Sequence, residues 1–170
     1  MALVSITRVH LRSRSARTTL PLMWALTLMV RQAARTPGFL GGQLARDAND
    51  VLWTVTLWDN EASMRAFRNG GAHRRGMPRI SDWFDEAALV HWEQESAELP
   101  DWREIPRRLN DQGHFTKLRY PTAAHLNRQI GEPSLSGRQL LIRPRGKSRL
   151  SRFLACAAGV RRNGAALAER

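Results

Sequence analysis

The sequence has one cysteine, two lysines and no long apolar run. The single cysteine, Cys156, excludes an intramolecular disulfide, and no cluster of cysteine and histidine has the spacing of a zinc site. The longest apolar run, Leu20 to Val30, has 11 residues, whereas a membrane-spanning helix needs about 20. Arg31 follows this run directly, without the small-residue cleavage site of a signal peptide. We therefore predict a cytoplasmic protein.

Three familiar catalytic patterns are also missing. The sequence offers no Ser-His-Asp order, no phosphate-binding glycine loop and no carboxylate pair in a recognisable frame. Asp82, Asp85 and Glu86 do cluster, but an acidic helix end before a strand is usually solvated surface. These absences argue against a triad hydrolase, a P-loop nucleotide-binding protein and a two-carboxylate glycosidase.

The positive charge is concentrated in the C-terminal part of the chain. Lys and Arg number 27 against 15 Asp and Glu, a net charge of +12. Residues 1–100 carry a net charge of +2, and residues 101–170 carry the other +10. All six Trp lie at or before position 102. We therefore predict a domain at 1–98, a short helical extension at 99–113 and a basic, poorly structured tail at 114–170.

The basic tail suggests an anionic partner, but composition offers a simpler explanation. Arginine makes up 25 of the 27 basic residues, a skew that is typical of GC-rich genomes. Aromatic residues are scarce in the tail, which weakens the case for binding single-stranded nucleic acid. Binding of nucleic acid or an anionic membrane through residues 138–162 is therefore an alternative hypothesis. The residues that would carry it are Arg138, Arg143, Arg145, Lys147, Arg149, Arg152, Arg161 and Arg162.

Apolar periodicity predicts the element order β-α-β-β-α-β. The strands are expected at 2–11, 39–46, 51–58 and 87–94. The helices are expected at 18–35, 60–69 and 72–84, the last interrupted by Pro78. Gly41-Gly42 indicates a bulge, Leu140 to Ile142 a possible further strand, and Leu150 to Val160 a possible short helix. The order is that of a ferredoxin-like α+β fold with a four-stranded antiparallel sheet.

The element order and the string LWDNEASMRAFRNGGAHRR resemble the dimeric α/β-barrel superfamily. Within it the resemblance is to antibiotic-biosynthesis-monooxygenase-like proteins and to uncharacterised bacterial relatives of spheroidene monooxygenase. It covers about residues 3–98 and is carried by Pro37-Gly38-Phe39, Leu57-Trp58, the helix from Glu61 to Phe67, and His73.

The resemblance implies a homodimer in which two four-stranded sheets pack face to face into an eight-stranded barrel. Such packing would account for the third strand, which is apolar on both faces. Proteins of this superfamily include cofactor-independent oxygenases, haem-binding and haem-degrading enzymes, and members without known activity. The resemblance therefore implies the fold more firmly than the chemistry, with either no cofactor or haem.

His73 is the leading candidate for the site. Haem-binding proteins that resemble this chain use a histidine in this region as the axial iron ligand. In a cofactor-free oxygenase His73 would instead be the base, with Asn60 or Arg65 polarising the substrate oxygen. The simpler alternative is a histidine satisfied at a helix start beside Arg74 and Arg75.

An aromatic pocket is the second expected feature of the site. Its predicted lining residues for a small apolar or aromatic ligand are Trp53, Trp58, Phe67 and Met77. Core packing is the favoured role for Trp53. His10 and His91 on the outer strands are a weaker candidate ligand pair.

The sequence thus favours a monooxygenase-like barrel that oxidises a small apolar or aromatic substrate, without a cofactor or with haem. Two alternatives stay open. One is a barrel that binds a small ligand without catalysis, and the other is binding of an anionic partner through the basic tail.

Overall fold

The computed structural model describes residues 1–135 and 139–145. The possible helix from Leu150 to Val160, Cys156 and most of the basic residues proposed for an anionic partner lie outside these residues. Within the described residues, no helix has the length and apolar character needed to cross a membrane.

The element order β-α-β-β-α-β is confirmed for the first 94 residues. The strands are β1 (Ala2–Leu11), β2 (Phe39–Arg46), β3 (Val51–Trp58), β4 (Phe84–Gln94), β5 (His114–Phe115) and β6 (Leu140–Ile142). The helices are α1 (Ala16–Arg35), α2 (Glu61–Asn69), α3 (Gly71–Gly76), α4 (Ile80–Trp83), α5 (Glu104–Gln112) and α6 (Ala123–Leu126). A short 3-10 turn, Met77–Arg79, joins α3 to α4 and contains Pro78, at the predicted interruption.

The sheet has six strands in the order β5-β4-β1-β3-β2-β6, all antiparallel. Its four central strands have the ferredoxin-like order, and the register shifts beside Gly41 at the predicted bulge. The prediction of four strands was incomplete, because β5 pairs with β4 and β6 pairs with β2. The strand at Leu140–Ile142 is confirmed, whereas β5 has two residues and therefore no alternation that a sequence pattern can show.

The sheet is covered on both faces, and alternation along β3 divides the two. Leu52 and Trp58 face the layer formed by α1 to α4. Val55, together with Val51, Trp53 and Leu57, faces the other side, which residues 99–135 cover. We call residues 99–135 the covering segment. Ile105 and Leu109 of α5 are its central contacts and are fully buried against the sheet.

Side-chain hydrogen bonds fasten the covering segment to β4. The Thr122 hydroxyl donates to Glu86 Oε1 at 2.6 Å. The His125 ring accepts from the Ala87 N–H at 3.4 Å and donates through Nε2 to the Thr116 carbonyl at 3.0 Å. The segment is therefore held by polar contacts as well as by apolar burial.

The covered face bears on the expected assembly. The sequence analysis predicted that the sheet of a second chain would pack on this face. In the structure, the covering segment of the same chain packs on it. Face-to-face pairing of two sheets would require this segment to leave. The homodimer through the sheet face therefore stays a prediction, and it would need the apolar surface that this segment buries.

Removal of the central apolar contact tests the role of the covering segment. Leu109→Ala is expected to lower the free energy of unfolding by about 2–5 kcal/mol, since it leaves a cavity under the segment. Leu126→Ala, a change of the same size at an exposed position, is expected to stay within about 0.5 kcal/mol. Urea denaturation measures both variants. Equal stabilities would mean that α5 does not pack on the sheet.

A buried ion pair between two neighbouring strands gives a pH prediction. Arg8 Nη1 lies 2.5 Å from Glu86 Oε2, and both side chains are buried. Burial alone would raise the pKa of Glu86, but hydrogen bonds from Thr122 and Arg8 outweigh it and hold the pKa below its ordinary 4.5. This carboxylate therefore stabilises the fold above about pH 4.5, and its contribution is lost as the pH falls through the lower, folded pKa.

Glu86→Gln is accordingly expected to cost about 3–5 kcal/mol at neutral pH, because it leaves Arg8 buried without its counter-charge. The variant should also lose less stability than the wild type on acidification below pH 4.5. Glu104→Gln is the matched control, since its ion pair with Arg108 is partly exposed and is worth about 0.2–1 kcal/mol. Thermal unfolding across pH measures the difference, and parallel pH curves for Glu86→Gln and wild type would contradict it.

Candidate functional site

A cavity of about 210 Å³ lies between the sheet and the helices α1 to α4. Its sheet side carries small hydroxyl residues, with Ser5 opposite Thr56 and Thr7 opposite Thr54 on paired strands. Larger aliphatic side chains at these four positions would fill the space between the two layers. The cavity thus follows from the choice of residues on one face of β1 and β3.

An aromatic wall closes one side of this cavity. Trp58 is fully buried and stacks on Phe67, with ring centres 5.2 Å apart. It also packs edge-to-face with Phe39, with ring centres 5.1 Å apart. The indole N–H of Trp58 donates to Thr56 Oγ1 at 3.0 Å, and Thr56 donates in turn to the Ser5 carbonyl at 3.2 Å. The wall is thereby fixed in position before any ligand arrives.

His73 extends the aromatic wall from α3. Its ring packs edge-to-face with that of Phe67, with ring centres 4.8 Å apart, and its Nδ1 lies 3.1 Å from the Arg68 carbonyl. A carbonyl can only accept, so Nδ1 carries the proton and Nε2 is the basic nitrogen. Burial lowers the pKa of His73 below its ordinary 6.5, the hydrogen bond to the carbonyl opposes this shift, and the Arg68 charge adds to it. His73 is therefore a neutral imidazole near pH 7.

The position of His73 depends on Gln32 of α1. The Gln32 amide donates to the carbonyls of Phe67 and Gly70 at 2.9 and 3.1 Å and accepts from the His73 N–H at 3.0 Å. Gly71 has a φ of 53°, and a Cβ there would lie 2.7 Å from the Gln32 side chain. The glycine pair in the sequence therefore serves a close approach between α1 and the α2–α3 junction.

His91 of β4 is the second histidine of the cavity. It lies opposite Ser5 of the neighbouring strand β1 and lines the cavity. Its Nδ1 is buried and has no hydrogen-bond partner among the described residues. Burial and the Arg68 charge lower the pKa of His91, against an opposing contribution from Glu61. A buried polar atom without a partner is costly to the stability of the fold.

The sequence analysis considered His91 only as a partner for His10, and that pair does not form. His10 lies opposite Glu86, five positions along β1 from Ser5, or roughly 17 Å at ~3.4 Å per residue. His10 Nδ1 instead meets Asp85 Oδ1 at 2.6 Å. The alternation of β4 alone does not distinguish a cavity-facing histidine from a surface one, so the strand register was needed to find His91.

Arg68 is a further residue that the sequence did not single out. It is exposed and also lines the cavity, which places its guanidinium at the rim. Its charge lowers the pKa of both His73 and His91. The rim is therefore positive, while the cavity itself is apolar with two neutral imidazoles.

Three of the predicted site residues lie elsewhere. Asn60 caps α2 by accepting from the Ser63 N–H at 2.9 Å, and it does not line the cavity. Arg65 is exposed and pairs with Glu61 at 2.7 Å along the same helix. Trp53 is buried on the opposite face of the sheet. These positions do not agree with substrate polarisation by Asn60 or Arg65, or with ligand binding by Trp53, whereas Trp58, Phe67, His73 and Met77 all line the cavity.

Haem, which the resemblance implied as one option, does not fit these residues. The cavity of about 210 Å³ is below the ~300–1,000 Å³ of sites for drug-sized ligands, and haem is larger than most such ligands. The ring of His73 is also packed against Phe67 within the wall. No group of three or more side chains suited to a metal ion is present in residues 1–135 and 139–145.

The fold and the cavity define a class of protein: a ferredoxin-like α+β domain with a ligand-sized space between its helices and sheet. The chain belongs to a family described as a domain of unknown function, DUF3291, whose model matches residues 1–114. No curated protein matches the chain.

Solved structures share this fold at low sequence identity. Rv0793 from Mycobacterium tuberculosis is 12% identical, with a TM-score of 0.50 over 56% of this chain and 97% of that one. A candidate antibiotic biosynthesis monooxygenase from Nitrosomonas europaea is 14% identical, with a TM-score of 0.48 over 55% and 99%. SnoaB, a cofactor-independent oxygenase from Streptomyces nogalater, is 12% identical, with a TM-score of 0.47 over 59% and 98%. The predicted resemblance is confirmed as one of fold, and at these identities it shows the fold alone.

Replacement of His91 tests whether its buried Nδ1, which has no hydrogen-bond partner among the described residues, lowers the stability of the fold. His91→Phe is expected to raise the free energy of unfolding by about 1 kcal/mol, because it removes a buried polar atom without a partner. The wild type should also lose stability as the pH falls below 6.5, since the unfolded chain then binds a proton that the folded His91 resists. The variant should lose part of this dependence.

His114→Phe at an exposed position is the control and is expected to change stability by less than about 0.5 kcal/mol. Chemical denaturation at pH 5.5 and pH 7.5 gives both quantities. A large loss of stability in His91→Phe would show that the imidazole has a structural partner.

Proposed function

We propose that this protein binds a small, flat, apolar molecule in the cavity and oxidises it with molecular oxygen without a cofactor. The observation that carries the proposal is the neutral imidazole of His91 among the residues that line an apolar cavity. The aromatic wall supplies area for stacking without asking the ligand for charge. The reaction class is the one implied by the sequence resemblance.

In this proposal His91 acts as the general base. A neutral imidazole with a lowered pKa is available to take a proton from an acidic C–H of the bound molecule near pH 7. The resulting carbanion gives electrons to oxygen, and for a ring CH₂ group the overall change is CH₂ + O₂ to C=O + H₂O. The apolar cavity keeps water away from the carbanion.

His73 and Arg68 have supporting roles in the same proposal. The free Nε2 of His73 can accept a hydrogen bond from a hydroxyl on the bound molecule, because its Nδ1 is already engaged. The Arg68 guanidinium at the rim favours a ligand that becomes negative during the reaction. Both groups would hold the ligand with its reacting carbon toward β4.

Oxygen uptake with a hydroxylated anthracenone as the test substrate examines this function. The wild type is expected to accelerate uptake over the rate without protein, with an acid limb in the pH profile below 6.5. His91→Phe is expected to lose roughly 10²-fold or more in kcat, the usual contribution of a positioned base. Arg65→Gln, an exposed change on the outside of α2, should leave kcat unchanged.

Full activity in His91→Phe would refute the role of His91 and leave His73→Phe as the next variant to measure. Oxygen uptake by the wild type that does not exceed the rate without protein would refute the proposed oxygenase activity.

A second candidate function is binding of the same kind of ligand without catalysis. The cavity favours it as directly as it favours the enzyme, since stacking and burial need no reaction. It is distinguished by a rise in Tm on addition of the anthracenone with no oxygen uptake. Absence of both responses would remove both functions.

A further inference from the structure

A second cavity, on the outer side of the helix layer, is surrounded by arginine. It has a volume of about 650 Å³ and lies between the C-terminal half of α1, the start of α3 and the residues that follow β6. We call it the arginine groove after Arg31, Arg35, Arg75 and Arg145, which line it. No acidic residue is among its lining residues.

The arginine groove is more basic than composition explains. Four of its ten lining residues are arginine, against 25 of 170 in the whole chain, so an arginine-rich genome does not account for it. In the described part of the chain, none of the four forms an ion pair with a carboxylate. Other arginines, such as Arg8, Arg46 and Arg108, do form such pairs.

Three separate parts of the chain bring these charges together. Arg31 and Arg35 are one turn apart on α1, where like charges destabilise a helix. The negative end of the α1 dipole partly offsets Arg35, but it does not explain why Arg75 and Arg145 come from elsewhere. The Arg145 N–H donates to the Ala34 carbonyl at 2.6 Å and so holds that residue beside the end of α1. The convergence therefore has a cost that a bound anion would offset.

The chemistry of the lining residues selects the anion. Guanidinium groups are planar forks whose N–H groups match the oxygens of phosphate in pairs. Several such groups around one concave site suit a compact group with more than one negative charge better than a single carboxylate. Leu28 and Pro37 add an apolar wall on which the rest of a phosphorylated molecule can rest.

We propose that the arginine groove is a binding site for a polyvalent phosphate group. The site is distinct from the cavity that contains His91, since it lies on the far side of the contact between α1 and α3. Gln32 connects the two sites, because it lines the groove and accepts a hydrogen bond from the N–H of His73, which lines the first cavity. A bound phosphate would therefore fasten α1 to α3 directly above the first cavity.

Calorimetric titration of the full chain with inorganic pyrophosphate tests the site. At an ionic strength on the order of 0.01 M, where screening is weak, the wild type is expected to bind and to show a higher Tm. The double variant Arg35→Gln/Arg75→Gln is expected to bind at least tenfold more weakly. The matched control is Arg103→Gln/Arg107→Gln, which removes two exposed charges near α5 and should bind as the wild type does.

Two comparisons make the test decisive. Circular dichroism and the Tm of each variant without ligand show whether it is folded, and a folded groove variant that binds like the wild type overturns the proposal. Equal weakening in the control variant also overturns it, because binding would then follow total charge. Binding to phosphatidic acid vesicles but not to pyrophosphate, lost in the groove variant, would assign the same phosphate chemistry to a lipid headgroup.

Discussion

Burial of the sheet on both faces is the constraint on which the rest of this structure depends. A central strand that is covered twice must present apolar or small side chains in both directions, and β3 does so along its whole length. One face uses bulky residues such as Trp53 and Val55, and the covering segment seals it. The other face has Thr54 and Thr56 side by side between Leu52 and Trp58, and space is left under the helices. The tightly packed face and the face with the cavity thus both follow from one alternating pattern of side chains along β3.

The face with the cavity contains two histidines, which a core optimised for stability would not contain. A core optimised for stability would give His91 a partner or replace it by an apolar residue, since a buried lone nitrogen is costly. His73, by contrast, is held by its own ring contact to Arg68 and by Gln32. The cavity therefore combines one imidazole that the protein holds by hydrogen bonds with another whose Nδ1 has no partner among the described residues. Such local exceptions to good packing are expected at functional sites.

Much of the fold followed from the sequence because its signals are local. The strands β1 to β3, the bulge at Gly41 and the break at Pro78 each depend on a few neighbouring residues. The site was recovered in part for the same reason: His73 is marked by the glycine pair before it. His91 was not, because its importance comes from Ser5 on another strand and from the space that small residues leave. The packing of residues 99–135 on the sheet likewise depends on contacts between distant parts of the chain, which the periodicity of the sequence does not show.

The covering segment has a consequence for how the protein responds to dilution. In a barrel made from two chains, each sheet is shielded by a second molecule, so its folded fraction falls as the concentration falls. Here Ile105 and Leu109 shield the sheet from within the same chain, at an effective concentration set by a short connection. The sheet therefore needs no second chain to bury this apolar face.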